Sequence, residues 1–233
     1  MCYARRTPLP SLTLALLTAA STSAFAATQR TFVASNGNDA NPCSITAPCR
    51  GFAAAVTHTT AGGEIIVQDS AGYGPVTITK PVSIIAPLGV YAGISVSSGT
   101  GIVVNHGTGE VTLRNLNITG LGGANGIDFQ SGDSLNIEGV VAESFTNAGI
   151  RVDPAVSGRI VIKDTISRNN GVYGAYVGSA SGGIAASIER SRFEGNQFAG
   201  VWVYDQVSAE ISDSTFNANP YGLVVKAVSS CWE

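Results

Sequence analysis

Gly126-Ile127-Asp128-Phe129, Gly149-Ile150-Arg151-Val152, Gly174-Ala175-Tyr176-Val177, Gly200-Val201-Trp202-Val203 and Gly222-Leu223-Val224-Val225 are five statements of one phrase. Each reads Gly, apolar, variable, apolar, and successive phrases are 23, 25, 26 and 22 residues apart. A second series of apolar strands, centred on Leu113, Ile137, Ile162, Ile188 and Ile211, advances by nearly the same step. Residues 111–225 are therefore an internal repeat, and alternation of apolar with variable residues makes its units β-strands. Working backwards, Val76, Ile102 and Ile127 are 26 and 25 residues apart, which adds two more units and gives about seven coils.

Units of this kind bury their apolar residues only by stacking on their neighbours, so the expected architecture is an all-β, single-stranded parallel solenoid. The step is too long for a hexapeptide β-helix, and the Leu and Asn frame of a leucine-rich horseshoe is missing, so three strands per coil fit best. Asn125, Asn147, Asn170, Asn196 and Asn219 recur just before the Gly-led phrases. Stacked amides of this kind can hydrogen-bond from coil to coil and hold the turns in register. Ahead of the coils, Thr31, Phe32 and Val33 form a first strand, and Asn36, Gly37, Asn38, Asp39 and Asn41 reverse the chain. Residues 50–60, with Phe52, Ala53, Ala54, Ala55 and Val56, read as one helix of roughly three turns. Such a helix covers the open apolar end of the stack as an N-terminal cap. Gly62 and Gly63 are expected to end it.

Charged residues are only 12% of the chain and Gly reaches 28, which fits tight β-turns rather than helices or disorder. Arg5 and Arg6 precede an apolar run from Leu12 to Ala20, and Ala24, Phe25 and Ala26 offer the small residues of a cleavage site. A signal peptide over residues 1–26 is expected, followed by the strand, disulfide loop and cap over 27–61 and the parallel β-helix over 62–233. The apolar run is too short to span a membrane, and localisation is expected to be secreted or periplasmic, as a monomer. The formal charge of -3 becomes -5 once Arg5 and Arg6 leave, which disfavours nucleic acid and anionic membranes as partners. In an exported chain, Cys43 and Cys49 read as a local disulfide. Zinc is the weaker reading, because neither His58 nor His106 adds a ligand spacing. Cys231 is left either free or pairing between chains.

The repeat, together with the opening that carries Gly37, Asn38, Asp39, Pro42, Cys43, Pro48 and Cys49 before an Ala-rich helix, resembles the right-handed parallel β-helix proteins of the pectate-lyase type. The resemblance spans nearly the whole mature chain. It implies the right-handed fold, and it implies no single activity, since such proteins include lyases, hydrolases, epimerases and adhesins.

Strand alternation sorts the Gly-led phrases into columns. Ile127 and Phe129, Ile150 and Val152, Ala175 and Val177, Val201 and Val203, and Leu223 and Val225 point inward as one apolar stack. One outward column is Asp128, Arg151, Tyr176, Trp202 and Val224; the next is Gln130, Asp153, Gly178, Tyr204 and Lys226. Tyr176, Trp202 and Tyr204, with Lys226 beside them, thus share one outer face, and aromatic faces near hydrogen-bonding groups suit a sugar ring. The competing reading folds the turn over residues 178–183 or the tail over 227–233 across these rings as a satellite core. A further outward column, Arg114, Glu138, Lys163, Glu189 and Ser212, alternates in sign and reads as a solvated ladder.

Catalytic signals are sparse. A lyase must offset a uronate carboxylate and place a base, and Arg151 between Asp128 and Asp153 is the nearest match; an outward ion-pair cluster explains the same residues. A β-helix hydrolase would need an Asp-Asp pair and Gly-His-Gly, whereas His106 sits between Asn105 and Gly107. Asn36, Asn38, Asp39 and Asn41 could offer oxygens to Ca²⁺, but they read as turn residues. The expected function is a noncatalytic, polysaccharide- or glycan-binding exported protein using Tyr176, Trp202, Tyr204 and Lys226, with no cofactor. The alternatives are a polysaccharide lyase, the only reading in which Ca²⁺ enters, and a structural or adhesive rod.

Overall fold

The structure, a computed structural model, describes residues 28–179, 182–204 and 206–226. The expected leader over residues 1–26 and Cys231 lie outside the described residues. All pairing is parallel, and the strands fall into three sheets that the chain visits in rotation. The first sheet has eight strands: Thr28–Val33, Thr59–Val67, Val82–Ile85, Glu110–Arg114, Ser134–Glu138, Gly158–Lys163, Ile184–Glu189 and Val207–Ser212. The second has seven shorter strands, running from Ala71–Gly72 to Thr215–Asn217. The third has seven strands that contain the Gly-led phrases, from Val76–Ile78 to Tyr221–Val225. Seven coils of three strands result.

The expected registers are those observed. Leu113, Ile137, Ile162, Ile188 and Ile211 are successive partners in the first sheet. Val76, Ile102, Ile127, Ile150, Ala175, Val201 and Leu223 are successive partners in the third. The inward side chains are fully or nearly fully buried through Val203, and the apolar column is one continuous core. That column ends before the last coil, where Leu223 is 45% and Val225 68% exposed; among the described residues each has a neighbouring strand on one side only. Gly opens each phrase for want of room rather than for backbone freedom. A Cβ on Gly174 would stand 2.5 Å from the carbonyl oxygen of Gly200 in the next coil.

In the last five coils the corners between the first and second sheets use one left-handed residue each, Asn115, Gly139, Asp164, Arg190 and Asp213 in turn. Asn and Asp tolerate this conformation through local hydrogen bonding, and Gly is free of its steric cost.

The Asn residues form two columns rather than the single one expected. Asn147 donates to Asn125 at 2.9 Å in a partly exposed turn. Asn170, Asn196 and Asn219 form a separate ladder at 2.9 and 3.0 Å, with Asn170 and Asn196 buried. The two sets differ because their spacing from the following Gly differs.

The helix, α1 (Phe52–His58), is shorter than the expected residues 50–60. Thr59 already adopts extended backbone and starts the strand Thr59–Val67, so Gly62 and Gly63 lie inside a strand. Thr59 is drawn there by burial: its hydroxyl donates to Ala55 O at 2.7 Å and lies 2.7 Å from the Thr31 hydroxyl. Phe52, Ala55 and Val56 are buried in the common core, and the Phe52 ring packs 5.2 Å from that of Tyr73. Asp39 Oδ1 accepts from Arg50 N and Gly51 N, both at 2.8 Å, which ties the turn to the helix start. Cys43 and Cys49 are disulfide-bonded in the loop between. No helix among the described residues is long and apolar enough to cross a membrane.

Candidate functional site

The outer face of the third sheet carries the expected columns in the expected order, with Asp128, Arg151, Tyr176, Trp202 and Val224 as direct neighbours from coil to coil. Such neighbours stand about 4.8 Å apart. At one end of the face, Arg151 reaches Asp128 at 3.0 Å and also pairs with Asp153. Gln130 donates to the remaining oxygen of Asp128 at 2.8 Å. Asp128 points outward yet its side chain is only 8% exposed, because Arg151 and Gln130 cover it. The guanidinium is thus committed on two sides.

The aromatic part is larger than the sequence reading had it. Tyr176 and Trp202 meet through Tyr173, whose ring centroid is 5.5 Å from the first and 5.7 Å from the second. Phe198 lies 5.4 Å from Trp202 and 5.8 Å from Tyr173, and Tyr221 extends the row 5.3 Å beyond Phe198. Tyr173, Phe198 and Tyr221 sit where the chain enters each Gly-led strand, ahead of the phrase used to find the face. An aromatic one or two positions before Gly174, Gly200 and Gly222 was the available signal. Tyr173, Tyr176, Phe198, Trp202 and Tyr204 are all half-buried, and Tyr221 is 55% exposed. The rings cover one another in part while still presenting surface. Tyr176 also lies against Gly178, where a Cβ would stand 2.9 Å from its hydroxyl oxygen. Burial, and then the nearby Asp153 carboxylate, raise the Tyr176 hydroxyl above the ordinary tyrosine pKa. Tyr204 is placed beside Lys226, whose ammonium stands 5.5 Å from its ring centroid.

The remaining candidates resolve locally. Arg114 pairs with Glu138 at 2.8 Å in the first sheet, as an alternating ladder requires. Asn38 and Asn41 are spent on turn hydrogen bonds to Ala40 N and Pro48 O. His106 is buried against Gly132, away from the aromatic rings in chain order by three coils, and neither ring nitrogen has a hydrogen-bond partner among the described residues. His58 comes close to the Cys43 and Cys49 sulfurs, all ligand atoms lying within 4.8 Å of one another. Sequence spacing did not reveal that proximity, since the fold brings the last turn of α1 back onto the loop. The two sulfurs are bonded to each other and so are not thiolate ligands. Asp128 and Asp153 do not fit a Ca²⁺ ion as they stand, because the Arg151 cation occupies the place between them.

No curated protein sequence matches this chain. Among solved structures, it is similar to the crystal structure of pectate lyase Pel9A at 15% identity and a TM-score of 0.38, over 88% of this chain and 78% of that one. It is also similar to a rhamnogalacturonan lyase at 10% identity and a TM-score of 0.45, over 79% of this chain and 73% of the other. A family model described as the right handed beta helix region matches residues 55–216, from α1 to the last coil. With three parallel sheets wound in rotation around one apolar column, the chain belongs to the right-handed β-helix family.

Proposed function

We propose that this is an exported, noncatalytic β-helix protein that binds a polysaccharide or another surface glycan on the outer face of its third sheet. The observation that carries the reading is the contiguous set of half-exposed rings, Tyr173, Tyr176, Phe198 and Trp202, beside the hydrogen-bonding group of Asp128, Gln130, Arg151 and Asp153. Rings of this kind stack on the C–H face of a sugar while the polar neighbours take its hydroxyls. A contiguous exposed aromatic patch is also what an interaction surface requires. The loop disulfide fits an oxidising, extracytoplasmic location.

A lyase built on Arg151 has less support. Its guanidinium would have to neutralise a uronate carboxylate, and it already serves two carboxylates of its own protein. The deciding experiment is retention on a panel of immobilised glycans, wild type against Trp202→Ala. Losing one stacking ring should weaken binding by about 1 to 3 kcal/mol. Binding that ignores the change would leave a rod with a self-packed aromatic seam.

A further inference from the structure

We infer that the glycan taken by this face is an uncharged polysaccharide rather than a polyuronate, an inference that rests on the glycan-binding reading above. The Arg151 cation at one end of the face is not available to a ligand carboxylate. Arg151 Nη1 is bonded to Asp128 at 3.0 Å and Nη2 to Asp153, and the second oxygen of Asp128 is held by Gln130. One guanidinium against two carboxylates leaves this group with a formal charge of +1 − 2 = −1. Asp153 keeps 24% of its side chain exposed, on the strand next to that of Tyr176, so the excess charge is open to solvent on the face that carries the rings.

The other cation lies at the far end. Lys226 follows Asp153 by three strands in the same outward column, roughly 14 Å away at the spacing of neighbouring strands. It stands over the Tyr204 ring. A polyuronate carries a carboxylate on every sugar, so a chain laid along the rings from Lys226 as far as Arg151 also sets a carboxylate beside Asp153. Like charges brought together at an interface are strongly unfavourable. A neutral sugar meets no such term: its C–H face stacks on Tyr176 and Trp202, and its hydroxyls donate to Asp153 and accept from the exposed Gln130 amide.

The test is affinity electrophoresis at physiological salt with two neutral polymers, a β-glucan and a galactan, and two polyuronates, polygalacturonate and alginate. Wild type, Trp202→Ala and Asp153→Asn are compared, each first checked for native melting. Retardation by a neutral polymer at least about tenfold stronger than by either polyuronate is expected. Asp153→Asn, which frees one arm of Arg151 and removes the excess charge, should narrow that gap by raising affinity for the polyuronates. Polyuronate binding as strong as neutral binding, and dependent on Trp202, overturns the inference and leaves the glycan reading standing. An unchanged gap in Asp153→Asn overturns the charge argument and the inference with it. Failure of all four polymers to retard the wild type, in agreement with an empty glycan panel, removes both the reading and the inference.

Discussion

Asn196 holds Asn170 by a single oxygen: its Oδ1 accepts from the Asn170 side-chain amide at 2.9 Å and from the Asn170 backbone N–H at 3.1 Å. Asn219 repeats the arrangement on Asn196, at 3.0 and 2.9 Å, and Asn170 in turn accepts from Phe145 N at 3.1 Å. Each side chain therefore supplies the partner that a buried turn would otherwise lack. Asn196→Ala should leave two buried donors on Asn170 unsatisfied and cost about 2 to 4 kcal/mol. Asn147→Ala, in the partly exposed column, should cost less than about 1 kcal/mol. Urea unfolding of both variants checks the contrast, and equal losses would show that the ladder is ornamental.

Gly174→Ala should destabilise by about 1 to 3 kcal/mol through overpacking. Its Cβ would meet the Gly200 carbonyl at 2.5 Å, the Asn196 amide at 2.8 Å and the Phe193 ring at 2.9 Å, and all three belong to the next coil. Gly183→Ala is the control, since nothing lies within 4 Å of its Cβ position. Its melting temperature should stay within a degree or two of wild type, at a cost of no more than about 0.5 kcal/mol.

The cap makes a separate prediction. Phe52 is fully buried, so Phe52→Ala should cost about 3 to 5 kcal/mol. Weakening α1 also bares the first strands of the stack, so light scattering should rise before the far-ultraviolet signal is lost. Breaking the disulfide with Cys43→Ser and Cys49→Ser together should act in the same direction. Variants that melt like wild type without scattering would mean that α1 does not close this end.

Acid should release a clamp near the same end. Asp69 accepts from Ser35 Oγ and Ser35 N, at 2.5 and 2.7 Å, and from Tyr73 Oη at 2.6 Å. The Ser35 side chain, then that of Tyr73, hold the Asp69 carboxyl below its ordinary pKa. A depressed folded-state value means that the stabilisation is complete above the unfolded value, about 3.9, and disappears as pH falls through the folded one. The gap in melting temperature between wild type and Asp69→Asn should therefore hold from pH 7 to about pH 5 and close below about pH 4. A gap that persists to pH 2 would assign it to shape rather than charge.

Two strand series of this fold were legible because each inward residue is an apolar residue at a fixed step, as Ile137, Ile162 and Ile188 show. Most of the second sheet was not, since Val141–Glu143, Ile166–Arg168 and Arg192–Glu194 are three residues long and show no period of their own. The helix was overread at its end because Thr59 can close a helix or open a strand, and burial against Thr31 decides. Tyr176 and Trp202 were placed correctly by alternation alone. Tyr173, Phe198 and Tyr221 escaped because they precede the Gly-led phrases, Tyr173 and Tyr221 as the first residue of a strand and Phe198 just before one, where the alternation read from the phrase was not extended. The same limit hid His58, whose approach to the disulfide depends on where a helix comes to rest.

The two ends of the stack are unequal. The first coil is closed by α1, whereas in the last, Leu223 and Val225 are exposed where Val201 and Val203, one coil earlier, are 0% and 3% exposed. Since each coil is stabilised chiefly by its neighbours, loss of order in a stack propagates from whichever terminus gains least from its final contact. Among the described residues, the coil that holds Leu223 and Val225 should therefore lose order first. Amide exchange should run as a gradient, fastest in Tyr221–Val225, slower in Ala199–Val203, and slowest toward Thr100–Asn105.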